Sequence, residues 1–175
     1  NVAWPDIDDY NDLSTKNEYE TALGKGLTEA EAMESVHRFS RDNARTPMQW
    51  DDSANAGFTT GTPWLPVNDN HSFINAAAAQ ADPDSTFCYY QKLIALRKAY
   101  DVFRDGWFEL MDPHSEKVFA YTRDTKDEHL LVVCNFTGET LDYEIPDAYY
   151  GSQLLISNYE KYAPGLRPYE AVMLY

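Results

Sequence analysis

Apolar residues along this chain follow two periods, helical in places up to about residue 104 and alternating beyond it. The first stretch, 1–14, holds Pro5, Asp6, Asp8, Asp9 and Asp12 and reads as a polar loop. Ser14 is placed to cap a short helix carrying Tyr19 and Leu23, which ends in Gly24-Lys25-Gly26. Thr28 and Glu31 stand at capping-box spacing, in which each side chain satisfies the other residue's backbone N–H. Met33, Val36 and His37 follow at helical spacing, so a second helix is expected near 29–39. Asp82-Pro83 then opens a third, over 83–99, with Phe87, Tyr90, Leu93, Ile94 and Leu96 as its apolar stripe and Arg97-Lys98 at its C-terminal end.

Alternation predicts strands at 106–111, 117–123, 129–136, 140–145, 153–157 and 169–175. Pro113, Asp124–Asp127, Gly138, Pro146 and Pro164-Gly165 bound them. Six short strands at this spacing point to an antiparallel β-sandwich. Between the second and third helices the periodicity fades, from Arg41 to Ala81, across Pro47, Pro63 and Pro66. A loop of that length is usually functional or disordered, and its aromatics (Trp50, Phe58, Trp64, Phe73) argue for order. It is the first place to look for function.

Composition narrows the partners. Hydrophobic residues make up 43% of the 175, enough for a core. The 14 Lys+Arg stand against 29 Asp+Glu, a formal net charge of -15, which repels phosphate backbones and anionic lipid while leaving a neutral ligand such as a sugar compatible. Nucleic acid and membrane are therefore not expected as partners. No stretch approaches the roughly 20 apolar residues that span a bilayer. The opening residues, Asn1 to Pro5, have neither a Met start nor a signal-peptide pattern and read like the middle of a fold. Cys88 and Cys134 read as buried small hydrophobes in a reducing, cytoplasmic setting, with a single disulfide left open. Neither the cysteines nor His37, which reads as packed or half-exposed, has the company of a metal site, and no cofactor is expected.

One segment combines residue types suited to carbohydrate chemistry: Arg41-Asp42-Asn43-Ala44-Arg45-Thr46-Pro47-Met48-Gln49-Trp50. Pro47 confines Thr46 to extended geometry, so the preceding helix ends first and the arginines sit near its exit. A guanidinium is planar, permanently charged, and donates both to carboxylates and to hydroxyls. Arg41 and Arg45 therefore suit a pocket where acidic catalytic groups and a sugar converge. The plainer alternative is that both pair with acidic side chains of the fold; Trp50 likewise offers a face for sugar C–H groups or fills a core.

The run RDNARTPMQWDDSANAGFTTGTPW, with Val67-Asn68 and Ile74-Asn75, resembles the oligo-1,6-glucosidase group of the α-amylase superfamily of glycoside hydrolases. The resemblance continues through Asp84-Ser85, residues 89–94, Leu96-Arg97-Lys98, Asn135-Phe136, Ser157-Asn158-Tyr159 and residues 166–171, and so covers nearly the whole chain. It implies an α+β fragment: residues 1–104 as the last helical segment and long loop of a (β/α)8 barrel, and 105–175 as a C-terminal antiparallel β-sandwich domain. It further implies a retaining α-glucosidase acting on α-1,6-linked or related gluco-oligosaccharides at the non-reducing end. Retention needs two carboxylates roughly 5–5.5 Å apart, which in this group lie on barrel strands upstream of the matched region. No catalytic residue is therefore expected here, and Asp6, Asp8, Asp9 and Asp12 read as ordinary loop acids. Arg41 corresponds to the arginine that holds the terminal glucose, and Arg45 to a second arginine of the same pocket, so the expected partner is an oligosaccharide substrate. Trehalose-6-phosphate hydrolase is a near alternative within the superfamily. A free-standing carbohydrate-binding or structural β-module is the alternative from another class.

Overall fold

In the computed structural model, which describes residues 1–161 and 165–175, the first helix, α1 (Leu13–Gly24), starts under Asp12 rather than Ser14. The Asp12 carboxylate accepts from the Thr15 N–H at 3.2 Å and the Thr15 hydroxyl at 3.0 Å. Ser14 already lies inside the helix and donates to Glu18 one turn on. Gly26, at φ 92, takes the left-handed position that closes the C-terminus, its N–H on the Leu23 carbonyl. Helix α2 (Glu29–Phe39) carries the expected capping box, with the Glu31 carboxylate 2.9 Å from the Thr28 N–H. Ala32 and Val36 are its buried face.

Residues 41–81 are ordered by short turns. Arg41–Ala44, Ala54–Gly57 and Asp69–Ser72 are 3-10 turns, and Ala76–Ala81 forms a helix, α3, that the sequence did not announce. Asn75 caps α3 by accepting from the Ala78 N–H at 2.8 Å, and alanine is the best helix former. Backbone bonds from Ala76 and Ala77 to the Gln49 and Trp50 carbonyls staple α3 to the front of the loop. Asn55, Ala56 and Gly57 all have positive φ. Their reversal lets the Ala56 carbonyl accept the Trp50 N–H at 2.8 Å, and a Cβ on Gly57 would meet the Asp51 carboxylate at 2.8 Å.

Helix α4 (Thr86–Ala99) begins three residues later than expected. Asp82 ends α3 instead, with its N–H on the Ala78 carbonyl, while Ser85 Oγ accepts the Cys88 N–H at 3.2 Å. None of its residues is buried; Phe87, Tyr90 and Ile94 of the predicted stripe are exposed.

The described residues divide into two compact units, Asn1–Cys88 and Tyr89–Tyr175. In the second, a one-turn helix α5 (Val102–Asp105) precedes five antiparallel strands: β1 (Trp107–Leu110), β2 (Val118–Asp124), β3 (His129–Asn135), β4 (Leu154–Ser157) and β5 (Ala171–Leu174). Their order is β1-β2-β3-β5-β4. Val118, Ala120, Leu131, Val133, Val172 and Leu174 line one face, while Leu130 and Val132 on the other pack with Val102. Both faces of β3 are thus buried, which explains its unbroken apolar run.

The expected two-sheet sandwich is, among the described residues, one sheet faced by irregular chain. The predicted strand 140–145 makes only a bridge, Leu141 with Leu166. Its alternation was nonetheless a true signal of inside and outside. Leu141, Tyr143 and Ile145 pack onto the β2-β3-β5 face without a ladder partner. Pro164, expected to bound the last strand, lies outside the described residues. No helix among them is long and apolar enough to cross a membrane.

Candidate functional site

The exit of α2 is held by side chains rather than by a second helix. Ser40 ends it, and Ser40 Oγ accepts both the Asp42 N–H at 3.2 Å and the Thr15 hydroxyl at 2.9 Å. Asn43 is buried, and its amide donates to the Val36 and His37 carbonyls at 3.0 and 2.9 Å. The Val36 carbonyl also accepts the Ser40 N–H at 2.9 Å, and both carbonyls lie in the last turn of α2, where acceptors outnumber intrahelical donors. The Asn43 carbonyl in turn accepts the Val2 N–H at 2.9 Å. Asp42 is fully buried, and its Oδ2 accepts two backbone N–H groups, those of Asn11 and Asp12, both at 2.7 Å. The other oxygens, Asp42 Oδ1 and Asn43 Oδ1, are buried with no partner among the described residues.

The flanking arginines are exposed. The Arg41 side chain is 60% exposed and pairs at 2.5 Å with Asp12, whose side chain is only 8% exposed. That hydrogen bond from Arg41, helped by those from Thr15, outweighs burial and holds the Asp12 carboxyl below the usual carboxylate range. The same bond raises Arg41 further still. Of the five N–H donors of Arg41, the described residues engage one nitrogen. Arg45 is exposed and has no ion pair among the described residues. The arginines thus divide: Arg41 meets an acid of the fold, and Arg45 does not.

Trp50 is exposed, so it is not a core residue here, and Phe58, Trp64 and Phe73 of the same loop are exposed too. Trp64 is tied to the site by its backbone, since the Asn11 amide donates to the Trp64 carbonyl at 3.4 Å. Leu65 beside it is buried and anchors the segment. His37 is half-buried, with Nε2 2.8 Å from the Trp4 carbonyl oxygen. No group of three His, Cys, Asp or Glu among the described residues is arranged to hold a metal. Cys88 and Cys134 are free thiols, half-buried rather than buried; burial pushes the Cys134 thiol up.

Sequence reasoning missed two acids. Asp12, read as a loop acid, is both the cap of α1 and the partner of Arg41. Its spacing to Thr15 was a usable cap signal. Asp42 gave no local signal, because its partners lie 30 and 31 residues away.

A model of the α-amylase catalytic domain matches residues 12–106, and one of the C-terminal domain of the α-amylase SusG matches 118–172. The oligo-1,6-glucosidase of Heyndrickxia coagulans is 45% identical over 174 residues, covering 97% of this chain and 31% of that protein. That of Parageobacillus thermoglucosidasius is 46% identical over 180 residues, covering 98% and 32%. Among solved structures, trehalose-6-phosphate hydrolase of Bacillus licheniformis superposes with a TM-score of 0.91 at 40% identity, over 99% of this chain and 33% of that one. The chain spans about a third of the length of the relatives it matches.

Proposed function

This chain belongs to the α-amylase family, and on that premise we propose that it is the C-terminal portion of a retaining α-glucosidase. The whole enzyme would hydrolyse α-1,6-linked or related gluco-oligosaccharides from the non-reducing end. In this reading residues 1–104 complete a (β/α)8 catalytic barrel and 105–175 form the C-terminal domain, a division supported by the two matched spans, 12–106 and 118–172. The nucleophile and the acid/base belong to the part of the enzyme outside this chain. Arg41 and Arg45 bind the sugar.

The observation that carries this reading is the split within the motif: its middle, Asp42-Asn43, is buried and fixed, while the arginines on either side are exposed. Such an arrangement spends the polar interior on placement and leaves guanidinium donors for an outside acceptor. Oriented donors on sugar hydroxyls lower the barrier by fixing the reacting ring against the carboxylates.

A second reading, trehalose-6-phosphate hydrolase, is favoured by the structural likeness to the Bacillus licheniformis enzyme. Identity to the two oligo-1,6-glucosidases is higher, at 45% and 46% against 40%. Turnover of isomaltose, isomaltotriose and trehalose 6-phosphate by the full-length enzyme decides between them. Preference for the isomalto-oligosaccharides supports the first reading; preference for the phosphorylated disaccharide replaces it with the second. The isolated chain is expected to hydrolyse none of the three.

A further inference from the structure

We propose that Asp12 and Asp42 are positioning residues that together set the Arg41 guanidinium before substrate arrives. The proposal rests on the sugar-binding reading of Arg41. Residues 41 and 42 grip residues 11 and 12 at two points, one through each side chain. Arg41 reaches the Asp12 carboxylate at 2.5 Å. Asp42 reaches back past it to the N–H of Asn11 and of Asp12, at 2.7 Å each. A third tie, Thr15 to Ser40, holds the start of α1 against the end of α2.

The grip is directional. Asp42 is fully buried, so its carboxylate cannot wander, and its two N–H donors fix the backbone from which the Asp12 side chain projects. Asp12 is further fixed by the Thr15 N–H and hydroxyl. The only long, flexible side chain in the chain of contacts is Arg41 itself, and it ends on the one carboxylate whose position everything else determines. An arginine so tethered has surrendered rotamer freedom in advance, which would otherwise be lost on binding.

Two substitutions separate the positioning role from helix capping. Asparagine caps as well as aspartate but has no charge for Arg41, so Asp12→Asn keeps the cap and loses the pair. Asp12→Glu keeps the charge and weakens the cap. In the full-length enzyme, with isomaltose as substrate, Asp12→Asn should lower kcat/KM at least about tenfold, because small misplacements of a binding group cost up to about a hundredfold. The Tm should stay close to that of the unmodified enzyme. Asp12→Glu should recover part of the activity at a lower Tm. In an Arg41→Ala background Asp12→Asn should have no further effect, as expected of residues that act as one unit. Asp12→Asn with unmodified kinetics, or with the same loss when Arg41 is absent, would overturn the proposal while leaving the sugar-binding reading in place. Unchanged kinetics for Arg41→Ala alone would remove both.

Discussion

Three arginines among the described residues meet a carboxylate at 2.5 Å; the Arg104 pair is exposed on both sides, and the other two, Arg41 and Arg167, differ in how fully their donors are engaged. Arg167, in the second unit, is enclosed. Its Nε and Nη2 donate to both oxygens of Glu170, which is 0% exposed, Nη2 also reaches the Lys161 carbonyl, and the guanidinium lies 3.9 Å from the centre of the Tyr159 ring. Burial alone would push the Glu170 carboxyl up, but the hydrogen bonds from the Arg167 side chain and backbone outweigh it and leave the group below the usual range. Arg41, in the first unit, is 60% exposed and makes one ion pair, against 31% exposure for Arg167. Arg167 is saturated and ties a loop; Arg41, held by the same type of partner, keeps donors unengaged among the described residues. The sequence shows both as arginines among acids, and only the contact set separates them.

The contrast can be attacked first at its structural pole. Glu170→Ala should cost about 3 kcal/mol or more of stability, because breaking a buried pair strands its partner's interactions. Thermal unfolding measures this, and kcat/KM at a permissive temperature should change little. At the presented pole, Arg45→Ala should lower kcat/KM by roughly tenfold, about 1.4 kcal/mol, with no loss of Tm, since no ion pair is broken. Between the two, Thr28→Ala should cost about 1 kcal/mol by removing the capping box of α2, the helix that leads into Arg41. A comparable loss of kcat/KM from that change would mean the Ser40–Asn43 anchors do not fix the segment by themselves.

The smallest effect expected is that of acid. Asp12 and Glu170 both titrate below the usual carboxylate range when folded. Each therefore adds stability that is present above about pH 4 and is lost as pH falls through the lowered folded value. Tm followed from neutral pH downward should fall there, and Glu170→Gln should flatten that limb more than Asp12→Asn. Added salt should weaken the exposed Arg41 pair more than the enclosed one.

Much of this was legible in the sequence wherever the cause was local. Spacing alone places the capping box at Thr28 and Glu31 and the strands β2, β3 and β5, though not which strand pairs with which. Errors arose where two local signals competed. Ser14 and Asp12 both suit a cap, and Asp82 precedes a proline but closes α3 instead of opening α4. The stretch 140–145 alternates because it lies on a core, yet its backbone finds no neighbouring strand beyond one bridge. Arg41 and Arg45 stood out because guanidinium chemistry is written in the residue type. Asp42, which fixes the segment between them, was invisible because burial and partners 30 residues away are properties of the fold.

In the proposed reading Arg41 is presented to a sugar while Arg167 ties the fold. The most direct test is kcat/KM on isomaltose together with Tm for Arg41→Ala and Arg167→Ala in the full-length enzyme. Arg41→Ala is expected to lower kcat/KM about a hundredfold or more with Tm nearly unchanged, and Arg167→Ala to lower Tm with kcat/KM nearly unchanged. Arg41→Ala with normal kinetics, or with a fall in Tm as large as that of Arg167→Ala, would contradict that reading.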